Sequence, residues 1–199
     1  MRRTLIIFAK APRMGSVKTR LARGIGHAAA LAFYRATLSR TIALGCGLKG
    51  VRTLIRVTPD DATGSRAFPA GLPRLPQGRG DIGERMKRAL DATPGDAVLV
   101  GCDIPGMTAD DLGAAFAALR RHDAVFGPAA DGGFWLVGLK RGFRPARLFR
   151  GVRWSVPETL ADSLATLPAH ARVARQRTLN DIDDVDDYAA LRAGSGGTS

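Results

Sequence analysis

The chain has 199 residues, 45% hydrophobic and 24% charged, which is ordinary for a globular domain with a core of its own. No apolar run is long enough to cross a bilayer, and the N-terminus lacks the apolar core of a signal peptide. We therefore expect a cytoplasmic protein without a membrane partner. The formal net charge of +12 leaves a basic nucleic-acid-binding protein open as an alternative. No helix-turn-helix, zinc-finger or RNP pattern accompanies this charge, so no nucleic-acid partner is expected.

Predicted strands and helices alternate from the start of the chain. Strands are predicted over residues 4–9, 51–57, 97–100, 124–127, 134–139 and 172–179. Helices are predicted from the end of a loop at 10–20 to about residue 44, and over 81–92, 108–121, 156–167 and 183–193. Residues 60–77, rich in Pro, Gly and Ala, are expected to form a loop with little regular structure.

This order of elements predicts an α/β fold, a three-layer α/β/α sandwich around a mostly parallel, mixed sheet. The closely spaced strands at 124–127 and 134–139 would supply the antiparallel member of that sheet. We expect a single domain over residues 1–193, followed by a flexible tail at 194–199.

The first loop, residues 10–20, is basic and contains glycine. Backbone N–H groups between a strand and a helix can bind an anion, and Lys18 and Arg20 can add charge-assisted contacts to phosphate oxygens. Neither a Walker A spacing nor a GxGxxG pattern is present. A solvated basic loop is the alternative, but Pro12 and Gly15 shape the loop sharply, which favours phosphate binding.

Carboxylates follow two of the predicted elements. Asp103 comes after the apolar strand 97–100, where it could hold a metal, cap a turn or pair with an arginine. Asp181 and Asp183 belong to an acidic run at 180–187, which is either a solvated helix start or a source of oxygen ligands for a divalent cation. Mg²⁺ often takes one or two carboxylates together with phosphates and water, and Asp103 and Asp183 could offer that set.

Two further features are ambiguous from spacing alone. Residues 127–135 contain Asp131, Gly132 and Gly133, and the two glycines could let a ligand approach the backbone closely. The alternative is a tight hairpin with Asp-Gly as its turn, and spacing alone favours this alternative. Cys102 lies beside Asp103, but no base partner for a nucleophilic thiol is evident. The two cysteines, Cys46 and Cys102, form no CxxC pattern, and we interpret Cys102 as a packing residue.

Six ordered blocks resemble a bacterial family of GT-A-type transferases, the radical-SAM- or selenodomain-associated transferases and arsenosugar-biosynthesis glycosyltransferases. The blocks are residues 8–12 with 15–21, 76–77 with 80–86, 101–105, 127–133 with 136–139, 154–155, and 181–183. Together they span about residues 4–193. The resemblance implies a nucleotide-diphospho-sugar transferase fold, close to the nucleotidyltransferases of molybdopterin, isoprenoid and deazaflavin-cofactor synthesis.

The same resemblance implies roles for individual residues. It implies a metal site for Mg²⁺ or Mn²⁺ at Asp103 and Asp183, and catalytic roles for Lys18, Asp103 and Asp131. The implied nucleotide-binding residues are Ala9, Lys10, Gly15, Lys18, Arg20, Gln77, Asp81 and Arg85. The implied acceptor-binding residues are Asp131, Gly132, Gly133 and Trp154. Phe134 and Val156 replace a tyrosine and a threonine that are usual in the family, and each change removes a hydroxyl group that could recognise the acceptor.

We therefore predict a metal-dependent transferase that uses a nucleotide-activated donor, in the first place a glycosyltransferase acting on a small acceptor. The alternative is nucleotidyl transfer, in which a nucleoside triphosphate reacts with a phosphorylated small molecule and releases pyrophosphate. The same loop and metal would serve both reactions, because the same phosphates are bound and only the bond that breaks differs.

Overall fold

The computed structural model of the protein describes residues 2–195, with side chains as far as Arg192. The strands are β1 (Arg3–Lys10), β2 (Val51–Thr58), β3 (Arg74–Pro76), β4 (Asp96–Gly101), β5 (Ala124–Pro128), β6 (Phe134–Leu139) and β7 (Val173–Arg175). The helices are α1 (Thr19–Ile25), α2 (His27–Gly47), α3 (Ile82–Asp91), α4 (Ala109–Ala118), α5 (Thr159–Ala165) and α6 (Val185–Ser195). Of the predicted tail, Gly194 and Ser195 lie in α6, and residues 196–199 lie outside the described residues.

The strands of the described chain form one sheet in the order β3-β2-β1-β4-β6-β5-β7. Neighbours are parallel except at β6, which runs antiparallel to both β4 and β5. The predicted mixed, mostly parallel sheet is confirmed. Its antiparallel member arises because only a short connection joins β5 to β6, and a parallel crossover needs a much longer one.

Both faces of the sheet are covered by helices. In β1, Leu5 and Ile7 pack on the side of α2 and α4, whereas Ile6 and Phe8 pack on the side of α3 and α5. Alternate side chains of a strand point to opposite faces, so a strand covered on both faces must be apolar throughout. This explains the unbroken apolar runs in β1 and β4 and confirms the three-layer arrangement.

The parallel pairing of β1 with β4 positions the candidate site. Ile7 lies opposite Val100, so the two strands end at the same edge of the sheet, β1 at Lys10 and β4 at Gly101. The basic loop that follows β1 and the Asp103 that follows β4 therefore begin side by side.

The observed elements differ from the predicted ones in the first long helix, in residues 60–77 and in the last strand, which covers Val173–Arg175 and not 172–179. The first long helix is two helices, α1 and α2, because Gly26 between them adopts a φ of 85°, which ends α1. Residues 60–77 contain a 3₁₀ turn at Asp60–Gly64 and the short strand β3, so the prediction of a loop with little regular structure is wrong there. Pairing with the edge of β2 stabilises β3, and this long-range contact leaves no local pattern in the sequence.

Within residues 2–195, no helix has the length and apolarity that crossing a bilayer requires.

Candidate active site

Lys18 joins the first loop to both predicted metal ligands. Its Nζ lies 2.7 Å from Asp103 Oδ2 and 2.7 Å from Asp183 Oδ1, and it donates a hydrogen bond to each. These residues are far apart in sequence, so the contact exists only because the sheet brings the ends of β1 and β4 together with the segment before α6. The structure therefore groups the two predicted metal ligands and the predicted catalytic lysine in one cluster.

The backbone and surroundings of Lys18 are unusual. It precedes α1 in the left-handed conformation, with φ 47° and ψ 47°, which costs a non-glycine residue on the order of 1 kcal/mol. Its side chain is only 5% exposed. Burial lowers the pKa of the ammonium, but the carboxylates of Asp103 and Asp183 outweigh that effect and hold the pKa above its ordinary value. Lys18 is thus a permanently charged ammonium held between two carboxylates.

Asp181 completes a group of three carboxylates. One oxygen from each of Asp103, Asp181 and Asp183 can be chosen so that all three lie within 4.8 Å of one another. Burial, together with the charges of Asp183 and Asp103, raises the pKa of Asp181 to about 6. The sequence predicts Asp103 and Asp183 as the metal pair and offers Asp181 as a ligand under only one interpretation of the acidic run. The structure places Asp181 beside that pair.

A local signal for this third carboxylate exists in the sequence. The side chain between the two aspartates, Ile182, is buried in the small core formed with α1 and α2. Alternate residues in an extended segment face opposite ways, so Asp181 and Asp183 must share the other side. Further along the run, Asp187 accepts the backbone N–H of Asp183 at 2.9 Å, which fixes the start of α6. The acidic run thus contributes Asp181 and Asp183 to the carboxylate group and Asp187 to the start of α6, and the binding of a cation stays a prediction.

The cluster lies between two cavities, each of about 360 Å³. We call the first the basic-loop cavity, because residues 16–20 of the first loop form much of its wall, together with Lys10 and Tyr34. Arg20 at its rim is 73% exposed, with a guanidinium nitrogen 4.0 Å from Asp183. Three of the predicted nucleotide-binding residues, Lys10, Lys18 and Arg20, meet in this cavity.

Tyr34 and Cys102 form the polar end of the basic-loop cavity. The Tyr34 hydroxyl donates to the Lys10 carbonyl at 2.8 Å and accepts from the Lys10 N–H at 2.8 Å and from the Cys102 thiol at 3.2 Å. Burial, together with the nearby Asp103 carboxylate, raises the pKa of Cys102 to about 12. The thiol therefore stays protonated, which fits the interpretation of Cys102 as a packing residue.

The second cavity, which we call the aromatic cavity, lies on the other side of Asp103 and Asp183. Its lining residues include Phe134 and Trp154, both held by ring contacts with Phe149 at centroid distances of 5.8 Å. Asp131 also lines it, and its Oδ1 accepts the Gly133 N–H at 2.9 Å.

The predicted acceptor residues fall into two groups in the structure. Asp131, Gly133 and Trp154 line the aromatic cavity. Gly132 has a different role, because its φ is 86° and a Cβ there would lie 2.0 Å from the Pro157 carbonyl oxygen. The turn at Asp131 is connected to the segment that carries Asp181 and Asp183, because the Ala130 N–H donates a hydrogen bond to the Asn180 side chain at 3.3 Å.

The other predicted nucleotide residues lie outside the lining of both cavities. Gln77 is buried and donates to the carbonyls of Ala9, at 3.4 Å, and Arg56, at 3.0 Å, while its amide oxygen accepts from Arg85 at 2.9 Å. Asp81 begins α3 and accepts the Glu84 N–H at 2.8 Å. Gly15 supplies a loop φ of 74°. Ala9, Gln77, Asp81 and Arg85 are thus held in structural contacts, and the part of these residues and of Gly15 in nucleotide binding stays a prediction.

The chain is similar to known proteins both in sequence and in fold. The profile of a bacterial family described as uncharacterized and conserved, DUF2064, matches residues 41–156, which is more than half of the chain. A protein from Desulfovibrio desulfuricans G20 that is assigned to the nucleotide-diphospho-sugar transferases is similar over 100% of this chain and 90% of its own. Its identity is 28% and its TM-score 0.87. No protein of curated function matches the chain in sequence.

More distant solved structures share the fold alone. One is the manganese complex of Rv0371c from Mycobacterium tuberculosis H37Rv, 15% identical with a TM-score of 0.60, covering 96% of this chain and 98% of that one. Another is the 4-diphosphocytidyl-2C-methyl-D-erythritol synthase of Anaerococcus prevotii DSM 20548, 11% identical with a TM-score of 0.64, covering 98% and 96%. The chain belongs to the DUF2064 family, and its fold places it in the nucleotide-diphospho-sugar transferase superfamily of nucleotide-dependent transferases.

Proposed function

We propose that the protein is a metal-dependent glycosyltransferase that moves a sugar from a sugar nucleotide to a small acceptor. The observation that carries this proposal is the cluster of Lys18, Asp103, Asp181 and Asp183 between two cavities at the carboxyl edge of the sheet. The similarity over the whole chain to a protein assigned to the nucleotide-diphospho-sugar transferases supports it.

The carboxylate group suits a hard divalent cation. Asp103, Asp181 and Asp183 offer oxygen atoms within 4.8 Å of one another, and the Lys18 ammonium between two of them indicates that the site stabilises positive charge. A structural neighbour is a manganese complex. We therefore assign Mg²⁺ or Mn²⁺ to these three residues. When bound, the ion would neutralise the negative charge that develops on the diphosphate leaving group.

The basic-loop cavity is the proposed nucleotide site. Lys10, Lys18 and Arg20 present positive charge to its interior and rim, where the phosphates of the donor would lie. The two N–H groups of Lys18 that donate to Asp103 and Asp183 cannot at the same time donate to a phosphate. We infer that its ammonium turns from Asp103 and Asp183 to a phosphate oxygen once another cation takes over the carboxylates.

The acceptor would then enter the aromatic cavity and meet the donor at Asp103. Asp131 orients the acceptor hydroxyl and takes its proton, while the acceptor oxygen forms a bond to the anomeric carbon. The bond between that carbon and the diphosphate oxygen breaks, and the electron pair leaves with the nucleoside diphosphate, which Lys18 and Arg20 stabilise.

Nucleotidyl transfer is the second candidate, because the structures that share the fold include an inositol-1-phosphate CTP transferase and a CMP:2-keto-3-deoxy-manno-octonic acid synthetase complexed with CTP. In that reaction a nucleophilic oxygen of the acceptor attacks the α-phosphorus of a nucleoside triphosphate and pyrophosphate leaves. Phosphate binding in the basic-loop cavity would serve both reactions, so the released product distinguishes them.

The experiment begins with a thermal-shift screen of nucleoside triphosphates and sugar nucleotides, each with and without Mg²⁺ or Mn²⁺, since a ligand of the folded state raises its stability. Donors that bind are then incubated with an acceptor mixture. Release of a nucleoside diphosphate supports glycosyl transfer, and release of pyrophosphate supports nucleotidyl transfer. A protein that neither binds nor turns over any of these donors with either metal would contradict both candidates.

A further inference from the structure

The aromatic cavity is acidic in a chain that is strongly basic. Four carboxylates line it, those of Asp103, Asp131, Asp181 and Asp183, although the whole chain has only 18 acidic residues against 30 lysines and arginines. Among the described residues that line this cavity, none is lysine, arginine or histidine. The contrast with the neighbouring basic-loop cavity, which contains Lys10, Lys18 and Arg20, is therefore local and sharp.

Most of the remaining wall is apolar and held in place by packing. Ile82 and Met86 of α3 contribute aliphatic surface, and Phe134 and Trp154 contribute rings. Phe134 is stacked on Phe149 with an interplanar angle of 12°, and it also contacts Phe126 edge-on at 5.3 Å. Rings fixed in this way present a preformed apolar surface, which favours a ligand with a matching apolar body.

We propose that the acceptor has an apolar body and carries no negative charge, so that a phosphorylated or carboxylated acceptor is excluded. This inference rests on the proposed function, because it takes the aromatic cavity as the acceptor site. The hydroxyl or amino group that reacts would lie at the acidic end, between Asp131 and Asp103, and the apolar body would lie against Phe134 and Trp154.

The charges around the cavity explain why an anion is excluded. A phosphate on the acceptor would approach four carboxylates and find no cation of the cavity wall to pair with. A divalent ion on Asp103, Asp181 and Asp183 carries less positive charge than these three carboxylates carry negative charge, and Lys18 would by then have turned to a donor phosphate. Asp131 has no cation beside it among the described residues that line the cavity. Like charges brought together at a binding site cost several kcal/mol, whereas a cationic or neutral group meets no such penalty. The same reasoning disfavours nucleotidyl transfer to a phosphorylated acceptor.

Met86 allows the cavity to be observed directly. Its side chain lines the aromatic cavity, whereas Met107 is fully buried in the opposite layer and Met14 is 65% exposed on the first loop. We would label the full-length protein with ¹³C-methyl methionine and titrate it with three probes of one shape, 2-phenylethanol, phenethylammonium and phenethyl phosphate. The two probes without negative charge should shift Met86 and leave Met14 in place, with affinities at least about tenfold above that of the phosphate.

Two substitutions test the cause of this preference. Ile82→Lys places a cation in the cavity wall and should raise the affinity for phenethyl phosphate about tenfold, whereas Leu75→Lys adds the same charge on the exposed strand β3 and should change nothing. Asp131→Asn keeps an oxygen for the Gly133 N–H but removes one charge, and should reduce the preference for phenethylammonium several-fold. Because Asp131 is exposed, this variant tests the cavity even if Ile82→Lys fails to fold.

The outcomes separate this inference from the proposed function. Phenethyl phosphate binding at Met86 as tightly as the other two probes would overturn the inference, and so would a Met86 resonance that no probe moves. Either result would leave nucleotide and Mn²⁺ binding in the basic-loop cavity unaffected. Conversely, Met86 shifts with the expected order of affinities would support the inference even in a protein that binds no nucleotide, which would count against the proposed function alone.

Discussion

The basic-loop cavity and the aromatic cavity share Phe8, Gly101, Asp103 and Asp183 but differ in the rest of their lining. The first offers lysine and arginine side chains from one loop, and the second offers apolar rings and carboxylates from several elements. The net charge of the chain therefore does not predict the charge of either cavity, because a chain with a formal charge of +12 contains an acidic cavity beside a basic one. The shared carboxylates lie at the boundary, where a donor phosphate and an acceptor would meet.

The two cavities also differ in how they are built. Residues 16–20 are contiguous, so their charges and their position after a strand are visible in the sequence. The aromatic cavity combines side chains of α3, β4, β6 and the segments before α5 and α6. Its chemistry depends on which distant segments come together, and for this reason it is the less predictable of the two.

The largest expected effect comes from Asp103→Asn, which removes a carboxylate from both cavities at once. We expect Mn²⁺ affinity and metal-dependent turnover to fall on the order of 100-fold to 1,000-fold, because a metal ligand and a negative charge are lost together. Titration calorimetry with Mn²⁺ measures the first and product release the second. Asp110→Asn, on the exposed start of α4, is the matched control and should behave as the wild type. Unchanged Mn²⁺ binding in Asp103→Asn would show that the metal site lies elsewhere.

Lys18→Met should change the two binding steps in opposite directions. Removing the ammonium frees Asp103 and Asp183 from hydrogen bonds to a charged group, so Mn²⁺ alone should bind roughly tenfold to 100-fold more tightly. Binding of a nucleoside diphosphate to the metal-saturated protein should weaken by a similar factor, because a phosphate contact is lost. Calorimetry with each ligand separates these effects.

The control for this substitution is Lys10→Met, which removes another lysine of the same cavity but no contact with the carboxylates. It should leave the affinity for Mn²⁺ alone near the wild-type value. If Mn²⁺ bound Lys18→Met more weakly than the wild type, Lys18 would be a support for the metal ligands and not a cation that competes with the metal.

Gly83→Ala tests the wall of the aromatic cavity. A Cβ at this position of α3 would lie 2.5 Å from Trp154 and 2.8 Å from Phe149, so we expect a loss of about 1–3 kcal/mol in the free energy of unfolding. Gly113→Ala in α4 is the matched helix substitution, with open space around the new Cβ, and should stabilise by about 0.5–1 kcal/mol. Urea denaturation measures both. Equal effects would mean that Trp154 does not pack tightly against α3.

The smallest expected effect is a pH dependence of metal binding. With the pKa of Asp181 raised to about 6, this residue takes up a proton as the pH falls through 6, and a metal must displace that proton. Mn²⁺ affinity should therefore fall up to about tenfold per pH unit below pH 6. Asp181→Asn should remove this pH dependence and should also bind Mn²⁺ more weakly, because one carboxylate is lost. Calorimetry at several pH values checks the slope.

The same shift has a consequence for stability without metal. Because the pKa of Asp181 is higher in the folded chain than its ordinary 3.8, the folded state binds the proton more tightly than the unfolded state. The associated stability is present below about pH 4 and is lost as the pH rises through 6. Asp181→Asn should therefore flatten the dependence of unfolding free energy on pH in this window, which urea denaturation at fixed pH values would detect. An unchanged profile would mean that Asp181 is not desolvated.

Local patterns of residues are enough to predict the layers of the fold and the basic loop. The unbroken apolar runs at β1 and β4 require a sheet covered on both faces, and the buried stripe at Leu31, Tyr34, Leu38 and Ile42 requires a helix on one of them. Asp103 could be placed at a strand end for the same reason. The strands and the helix are predictable because their apolar residues recur with the local periodicity of each element.

Which of these residues come into contact depends on how distant segments pack together. This packing inserted the ammonium of Lys18 between Asp103 and Asp183, added Asp181 to them, and assembled an acidic, aromatic cavity from segments far apart in the chain. It also formed β3 at the edge of the sheet, where pairing with β2 outweighs a local composition typical of a loop. Contacts of this kind arise from strand order and register, and no local pattern of residues encodes either.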